Sequence, residues 1–215
     1  MKKLLLFLSF FFIPLICKAE ETVTQNLAIN SAAAILIEYS TGNVLYEKDA
    51  NTKLAPASMT KIMTMLLIME SLESGKISLN DMIPISANAS SMGGSQVFLQ
   101  PNTSIKAEDL LRSIAIASAN DSAVAMAESI AGTTDAFVNK MNEKCKAIGC
   151  TNTNFVNVHG LDDPNHYTTA HDMALMAREL LKYEKVLEYS STYESYLQKP
   201  DGTSTWMVNT NKVVY

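Results

Sequence analysis

Residues 56–64 read PASMTKIMT. A small-residue turn at Pro56-Ala57 leads into Ser58, Met59, Thr60 and Lys61, and then into an unbroken apolar run. Met59, Ile62, Met63, Met65, Leu66, Leu67, Ile68 and Met69 go round every face at helical spacing. A helix that is apolar on all sides is buried on all sides. The spacing therefore predicts a helix from Ser58 to about Leu72, stopped by Gly75, at the centre of a helical body. The Ser-x-x-Lys spacing alone is weak evidence for chemistry. With 20 Ser and 15 Lys in the chain, random order gives about one such spacing, and there is one.

Residues three apart on a helix share a face, so Ser58 and Lys61 can meet at its first turn. A serine hydroxyl needs a nearby base to become a nucleophile. Burial disfavours an ammonium ion and lowers its pKa. Lys61 opens a buried helix that carries no acid until Glu70, so the setting can supply a neutral amine. The backbone N–H of a serine at a helix N-terminus also points where an oxyanion would develop. The plain alternative is that Ser58 caps the helix while Lys61 snorkels to solvent. From these residues alone both readings stand.

Working outward, residues 33–48, AAILIEYSTGNVLYEK, read as a hairpin around Ser40-Thr41-Gly42-Asn43. Residues 49–57 are a polar loop, and 76–105, with Pro84, Gly93, Gly94 and Pro101, read as loops and short elements. A helix is predicted over Ala107–Ala117, interrupted by Ser118-Ala119-Asn120 and resumed from Asp121 to Ala131, with Asn120 or Asp121 as a candidate cap. Another runs from about Asp135 to Ile148. Residues 151–168 form an Asn-rich loop, and Thr169-Ala170-His171-Asp172 fits a capping box opening a helix to about Tyr183. Pro200-Asp201-Gly202 marks a turn in the tail. The expectation is mostly helix with a little sheet at the front.

Lys2 and Lys3 precede an apolar run to Ile16, and Cys17-Lys18-Ala19 fits a cleavage site, the order of an export signal at 1–19. The run, about 13 residues long, falls short of the roughly 20 that span a bilayer. Lipidation at Cys17 is disfavoured by Ile16 before it. Cleavage removes three lysines and no acid, leaving a formal charge of −8 where the whole chain has −5. That acidity argues against a nucleic-acid partner, which needs a basic stripe. Cys145 and Cys150 then remain, in CKAIGC, as a local disulfide or as two thiols flanking a helix end.

Four stretches taken together carry a resemblance. PASMTKIMT, the Ser118-Ala119-Asn120-Asp121 stretch, the His159-Gly160-Leu161-Asp162 loop and the Thr169-Ala170-His171-Asp172-Met173-Ala174 helix start resemble the low-molecular-mass penicillin-binding proteins. More closely, they resemble the serine-type D-alanyl-D-alanine carboxypeptidases. The resemblance runs from about Ala33 to Tyr215. It implies an α+β fold of the penicillin-binding protein and serine β-lactamase kind, a helical lobe plus an antiparallel sheet. It makes Ser58 the acylated nucleophile, Lys61 its general base, and Ser118 and Asn120 a second motif that relays a proton and holds the acyl chain. His159, in the loop over the site, is either a substrate contact or a structural residue. The implied partners are peptidoglycan stem peptides and β-lactam antibiotics, outside the cytoplasmic membrane, with no metal or organic cofactor.

One departure bears on the expected domain organisation. The third motif of that family, Lys-Thr-Gly on a strand, is absent from these residues. The expectation is an export signal at 1–19, a leader at 20–32, and at 33–215 the N-terminal part of a catalytic domain cut before that strand. The sheet is then incomplete, and any membrane-surface segment lies beyond. On that reading these residues alone fold poorly and hydrolyse little. Three rivals share some of the residues. A class A β-lactamase usually has Ser-Asp-Asn and a glutamate-bearing loop, whereas this chain has Ser118-Ala119-Asn120 and no glutamate over 157–166. A zinc peptidase would need better spacing than His159, His166 and His171 offer. A non-catalytic β-lactam-binding or cell-wall-binding module would be acylated without turnover.

Overall fold

The computed structural model describes residues 30–214, so the export signal read at 1–19 and most of the leader at 20–32 lie outside the described residues. Strands β1 (Ala34–Ile37) and β2 (Val44–Lys48) form the expected antiparallel hairpin, with Ala34 opposite Lys48. Its turn is organised by Glu38, whose carboxylate accepts hydrogen bonds from the backbone N–H and hydroxyl groups of both Ser40 and Thr41. A two-stranded hairpin is marginal by itself. Here Arg178 of helix α6 (Ala170–Leu180) donates to the carbonyls of Tyr39 and Ser40, both at 2.7 Å, and seats the hairpin on that helix.

The helical body forms around α1 (Lys61–Glu73), which buries Met63, Leu66, Leu67, Ile68 and Met69 against neighbours on several sides. Helices α3 (Ala107–Ala117) and α4 (Asn120–Ala131) are separated by a break at Ser118, whose φ of 57° ends α3 in a left-handed turn. Ala123, Ala125 and Ala127 are fully buried, which lets the α4 backbone approach its neighbours closely. Helix α5 (Thr134–Ala147) is capped by Thr133, whose hydroxyl accepts from the Ala136 N–H. Its far end carries a disulfide between Cys145 and Cys150, with Cα atoms 5.2 Å apart, inside the usual range for a bridge.

Several boundaries differ from the sequence expectation, each for a local reason. Ser58 does not open the long helix but sits in a 3-10 turn, Ala57–Thr60, that runs into α1, and it makes no side-chain cap. Only half of the predicted capping box forms at α6. Thr169 accepts from the Asp172 N–H at 3.1 Å, but the Asp172 carboxylate turns away to accept from Asn152 N–H and the Thr153 hydroxyl. Neither Asn120 nor Asp121 caps α4.

Sheet is not confined to the front. The four-residue helix α2 (Ala87–Ser90) lies between β3 (Met82–Pro84) and β4 (Ser104–Lys106), which pair antiparallel. The tail forms a short helix α7 (Glu184–Ser190) and a hairpin of β5 (Glu194–Gln198) and β6 (Ser204–Val208) around the Pro200-Asp201-Gly202 turn. Leu197 and Met207 point into the core while Tyr196 and Trp206 face out, the alternation of a strand with one buried face.

Candidate active site

The path of the chain into α1 is unusual one residue before Ser58. Ala57 has a φ of 47°, a left-handed conformation that costs a residue with a Cβ about 1–2 kcal/mol. The turn leaves Ser58 exposed while Lys61, one helical turn on, is only 2 % exposed. Lys61 Nζ lies 3.2 Å from Ser58 Oγ and donates to the His159 carbonyl at 2.8 Å. Burial pushes the Lys61 pKa down to about 8, and the Asp121 carboxylate pulls it part of the way back. The pair therefore joins an accessible hydroxyl to an amine that deprotonates far more easily than a lysine in water.

The loop over this pair is tied to α1 through its carbonyls. Thr64 donates to the Val158 carbonyl at 2.7 Å, one residue before the carbonyl that receives Lys61. Asn157 Oδ1 accepts from the N–H groups of His159 and Gly160, and its amide donates to the Leu161 carbonyl at 2.9 Å. Gly160, at φ +92°, lies so close to the Ser58 turn that an added Cβ would sit 1.8 Å from the Ala57 carbonyl oxygen. His159 meets Lys61 through its backbone. Its ring accepts from the Leu161 N–H at Nδ1, so the proton of the neutral ring is on Nε2. Burial first, then the positive charge of Lys61, pushes the His159 pKa down to about 4.

Ser118 and Asn120 sit at the α3–α4 break. Asn120 is 4 % exposed; its backbone N–H donates to the Ser95 carbonyl and its amide to the Gly93 carbonyl, both at 2.7 Å. Its Oδ1 is buried with no hydrogen-bond partner among the described residues. Buried acceptors are seldom left unpaired, so this oxygen is open to a donor. The structure thus joins Ser58, Lys61 and the His159 carbonyl by hydrogen bonds, and no hydrogen bond links the Ser118 or Asn120 side chain to those three.

Three further residues shape the site, and sequence reasoning gave them no role there. Asp121, fully buried, accepts from the N–H groups of Val97 and Leu99 and so lays residues 97–99 over the start of α4. Thr60 and His166 hold the Ser58 turn from behind. Asp121 stands directly after the Ser-x-Asn motif and is visible there as a charge. Thr60 and His166 are 106 residues apart, and nothing local in the sequence joins them.

Comparison with known proteins places this geometry in a family. The sequence profile of peptidase S11, D-alanyl-D-alanine carboxypeptidase, matches residues 19–215. The chain is 52 % identical over 191 residues to the D-alanyl-D-alanine carboxypeptidase DacF of Bacillus subtilis, covering 89 % of this chain and 49 % of that one. It is 37 % identical over 177 residues to DacA of Escherichia coli, covering 80 % of this chain and 43 % of the relative. Among solved structures, the D-alanyl-D-alanine carboxypeptidase DacD from Francisella tularensis superposes with a TM-score of 0.80 at 36 % identity, over 84 % of this chain and 44 % of that one. Penicillin-binding protein 5 from Haemophilus influenzae gives 0.77 at 33 % identity, over 82 % and 51 %. The chain spans about half the length of the curated relatives it matches. The α+β fold is that of the penicillin-binding proteins, and with the profile running through the Ser58 turn, the α3–α4 break and the His159 loop alike, the chain belongs to the peptidase S11 family of D-alanyl-D-alanine carboxypeptidases.

Proposed function

We propose that the chain carries the acylating machinery of an exported serine D-alanyl-D-alanine carboxypeptidase, which removes the terminal D-alanine from peptidoglycan stem peptides and is a target of β-lactams. One observation carries the reading: an exposed Ser58 Oγ lies 3.2 Å from the buried amine of Lys61. Neutral Lys61 takes the Ser58 proton as Oγ forms a bond to the carbonyl carbon of the penultimate D-alanine. The Ser58 N–H, early in its 3-10 turn and without a partner in it, faces the developing oxyanion. Collapse breaks the peptide C–N bond, and the proton held by Lys61 passes through Ser118 to the departing amine. Water then hydrolyses the ester and restores Ser58. The unpaired Asn120 Oδ1 accepts from the acyl chain or from the Lys61 ammonium. A β-lactam acylates the same oxygen, but its ring-opened leaving group stays attached and deacylation is slow. The family's Lys-Thr-Gly is not among these 215 residues, so no partner for the substrate carboxylate is assigned.

Intact mass of the protein with and without penicillin tests this reading. The expected outcome is one penicilloyl adduct on Ser58, lost in Ser58→Ala, and release of D-alanine from a D-Ala-D-Ala peptide. Rapid loss of the adduct with turnover of penicillin would favour a β-lactamase instead. An adduct without D-alanine release would favour a binding module.

A further inference from the structure

The Ser58 turn is held by a chain of hydrogen bonds whose donors and acceptors can be assigned atom by atom. The Val156 N–H donates to His166 Nδ1 at 3.1 Å, so Nδ1 carries no proton. The Thr60 hydroxyl donates to the Ala57 carbonyl at 2.8 Å, and a carbonyl can only accept. The remaining contact, 2.7 Å between Thr60 Oγ1 and His166 Nε2, must therefore run from Nε2–H to the hydroxyl oxygen. Each atom on this path has one role, and the path ends on the carbonyl of the left-handed residue before Ser58. Thr60 is fully buried and His166 is 3 % exposed, so water does not substitute for either partner. Burial lowers the His166 pKa, opposed by the charge of Asp163, and favours the neutral ring that this assignment needs. The ring is steadied by Phe155, its centroid 5.7 Å away.

We infer that His166, acting through Thr60, is a positioning residue for acylation: it holds the strained Ala57 carbonyl and thereby aims Ser58 Oγ at the substrate carbonyl. The inference rests on the reading of Ser58 as nucleophile. The backbone strain one residue before Ser58 needs a restraint, because a left-handed residue with a Cβ relaxes when nothing holds it. Misplacing a nucleophile by an ångström costs about a hundredfold in rate. His166 touches neither Ser58 nor Lys61, so its effect falls on orientation and leaves the base unchanged.

The test is the kinetics of acylation by a fluorescent penicillin in the natural full-length protein, resolved into the initial dissociation constant and the acylation rate constant. Both are read from folded molecules, so a smaller folded fraction lowers only the amplitude. His166→Phe fills the space without a donor or acceptor, while His166→Gln offers one of each on a planar group. The expected result is an acylation step at least about tenfold slower in His166→Phe and within about threefold of wild type in His166→Gln, with the initial dissociation constant unchanged in both. Thr60→Val and Thr60→Ser repeat the comparison at the middle of the path, with the serine variant expected to match wild type. Equal acylation constants in wild type, His166→Phe and Thr60→Val would overturn the inference, as would a glutamine variant as slow as the phenylalanine one. Absence of any adduct in the wild type would instead overturn the reading of Ser58.

Discussion

At Lys61 the proposed chemistry depends on how much of the amine is neutral. With the pKa pushed down to about 8 by burial, roughly a tenth of the molecules carry the neutral amine at pH 7, against a few in ten thousand for a lysine in water. Acylation of Ser58 by penicillin is therefore expected to rise about tenfold per pH unit below 8 and to level off above it. The carboxylate of Asp121 raises the Lys61 pKa by stabilising the ammonium. Removing that charge in Asp121→Asn lets the amine lose its proton more easily, so the rising limb should move to lower pH. Rapid-mixing kinetics between pH 5.5 and 9.5 would show it, and a limb that stays in place would exclude Asp121 as a charge partner. The sequence brought Ser58 and Lys61 forward as candidates because four separated stretches agree with one family, where their three-residue spacing alone left a helix cap equally open. It could not disclose the His159 carbonyl as the partner of Lys61, because that contact spans 98 positions and uses backbone that every residue carries.

At the scale of elements, the loop over the site decides how firmly the Ser58 turn is held. Gly160 and Gly202 both have positive φ, +92° and +83°. An added Cβ at Gly202 meets nothing within 4 Å, whereas at Gly160 it meets the backbone oxygen and carbon of Ala57 at 1.8 and 2.4 Å. No rotamer change relieves a clash with backbone. Gly202→Ala should cost about 1 kcal/mol for its backbone conformation alone, while Gly160→Ala should cost about 3 kcal/mol or more and slow acylation as the turn shifts. Thermal melts of the two variants and their penicillin acylation rates check the contrast. Equal losses at both positions would mean that the loop yields without disturbing Ser58. This loop was readable from its asparagines, but not the work they do. Within it Asn154 donates to the Asn165 carbonyl, and from outside it Asn142, on α5, clasps the backbone N–H and carbonyl of Phe155, both at 2.8 Å. Helix α1 was legible because an all-round apolar run has one solution. The tail was not: β5 and β6 each bury few side chains, so alternation over five residues gave little pattern to read.

At the scale of the whole molecule, the described residues form three two-stranded sheets bordering one helical body, and each relies on helix contacts for its place. The Cys145–Cys150 bridge lies on the body, at the end of α5 remote in sequence from the Ser58 turn, where Cys145 is packed into the core beside Met176. Helix α5 also reaches α1 through the Lys144–Glu70 ion pair, so the bridge stands behind α1 without touching its first turn. Closing so short a loop removes little unfolded-state entropy, and the chain-entropy relation gives about 2 kcal/mol for it. In a body of this size that corresponds to a fall in melting temperature of roughly 4–8 °C on reduction. Acylation of Ser58 at 25 °C should stay within about twofold, because Lys61, Ser58 and the His159 loop keep their partners. Calorimetry with and without reductant, paired with penicillin acylation on the same samples, separates the two effects. A melting temperature that ignores reduction would show that the α5 end holds itself by packing. A large loss of acylation would show that strain at the end of α5 travels along α1 to its first turn, and that the body and the site are one mechanical unit.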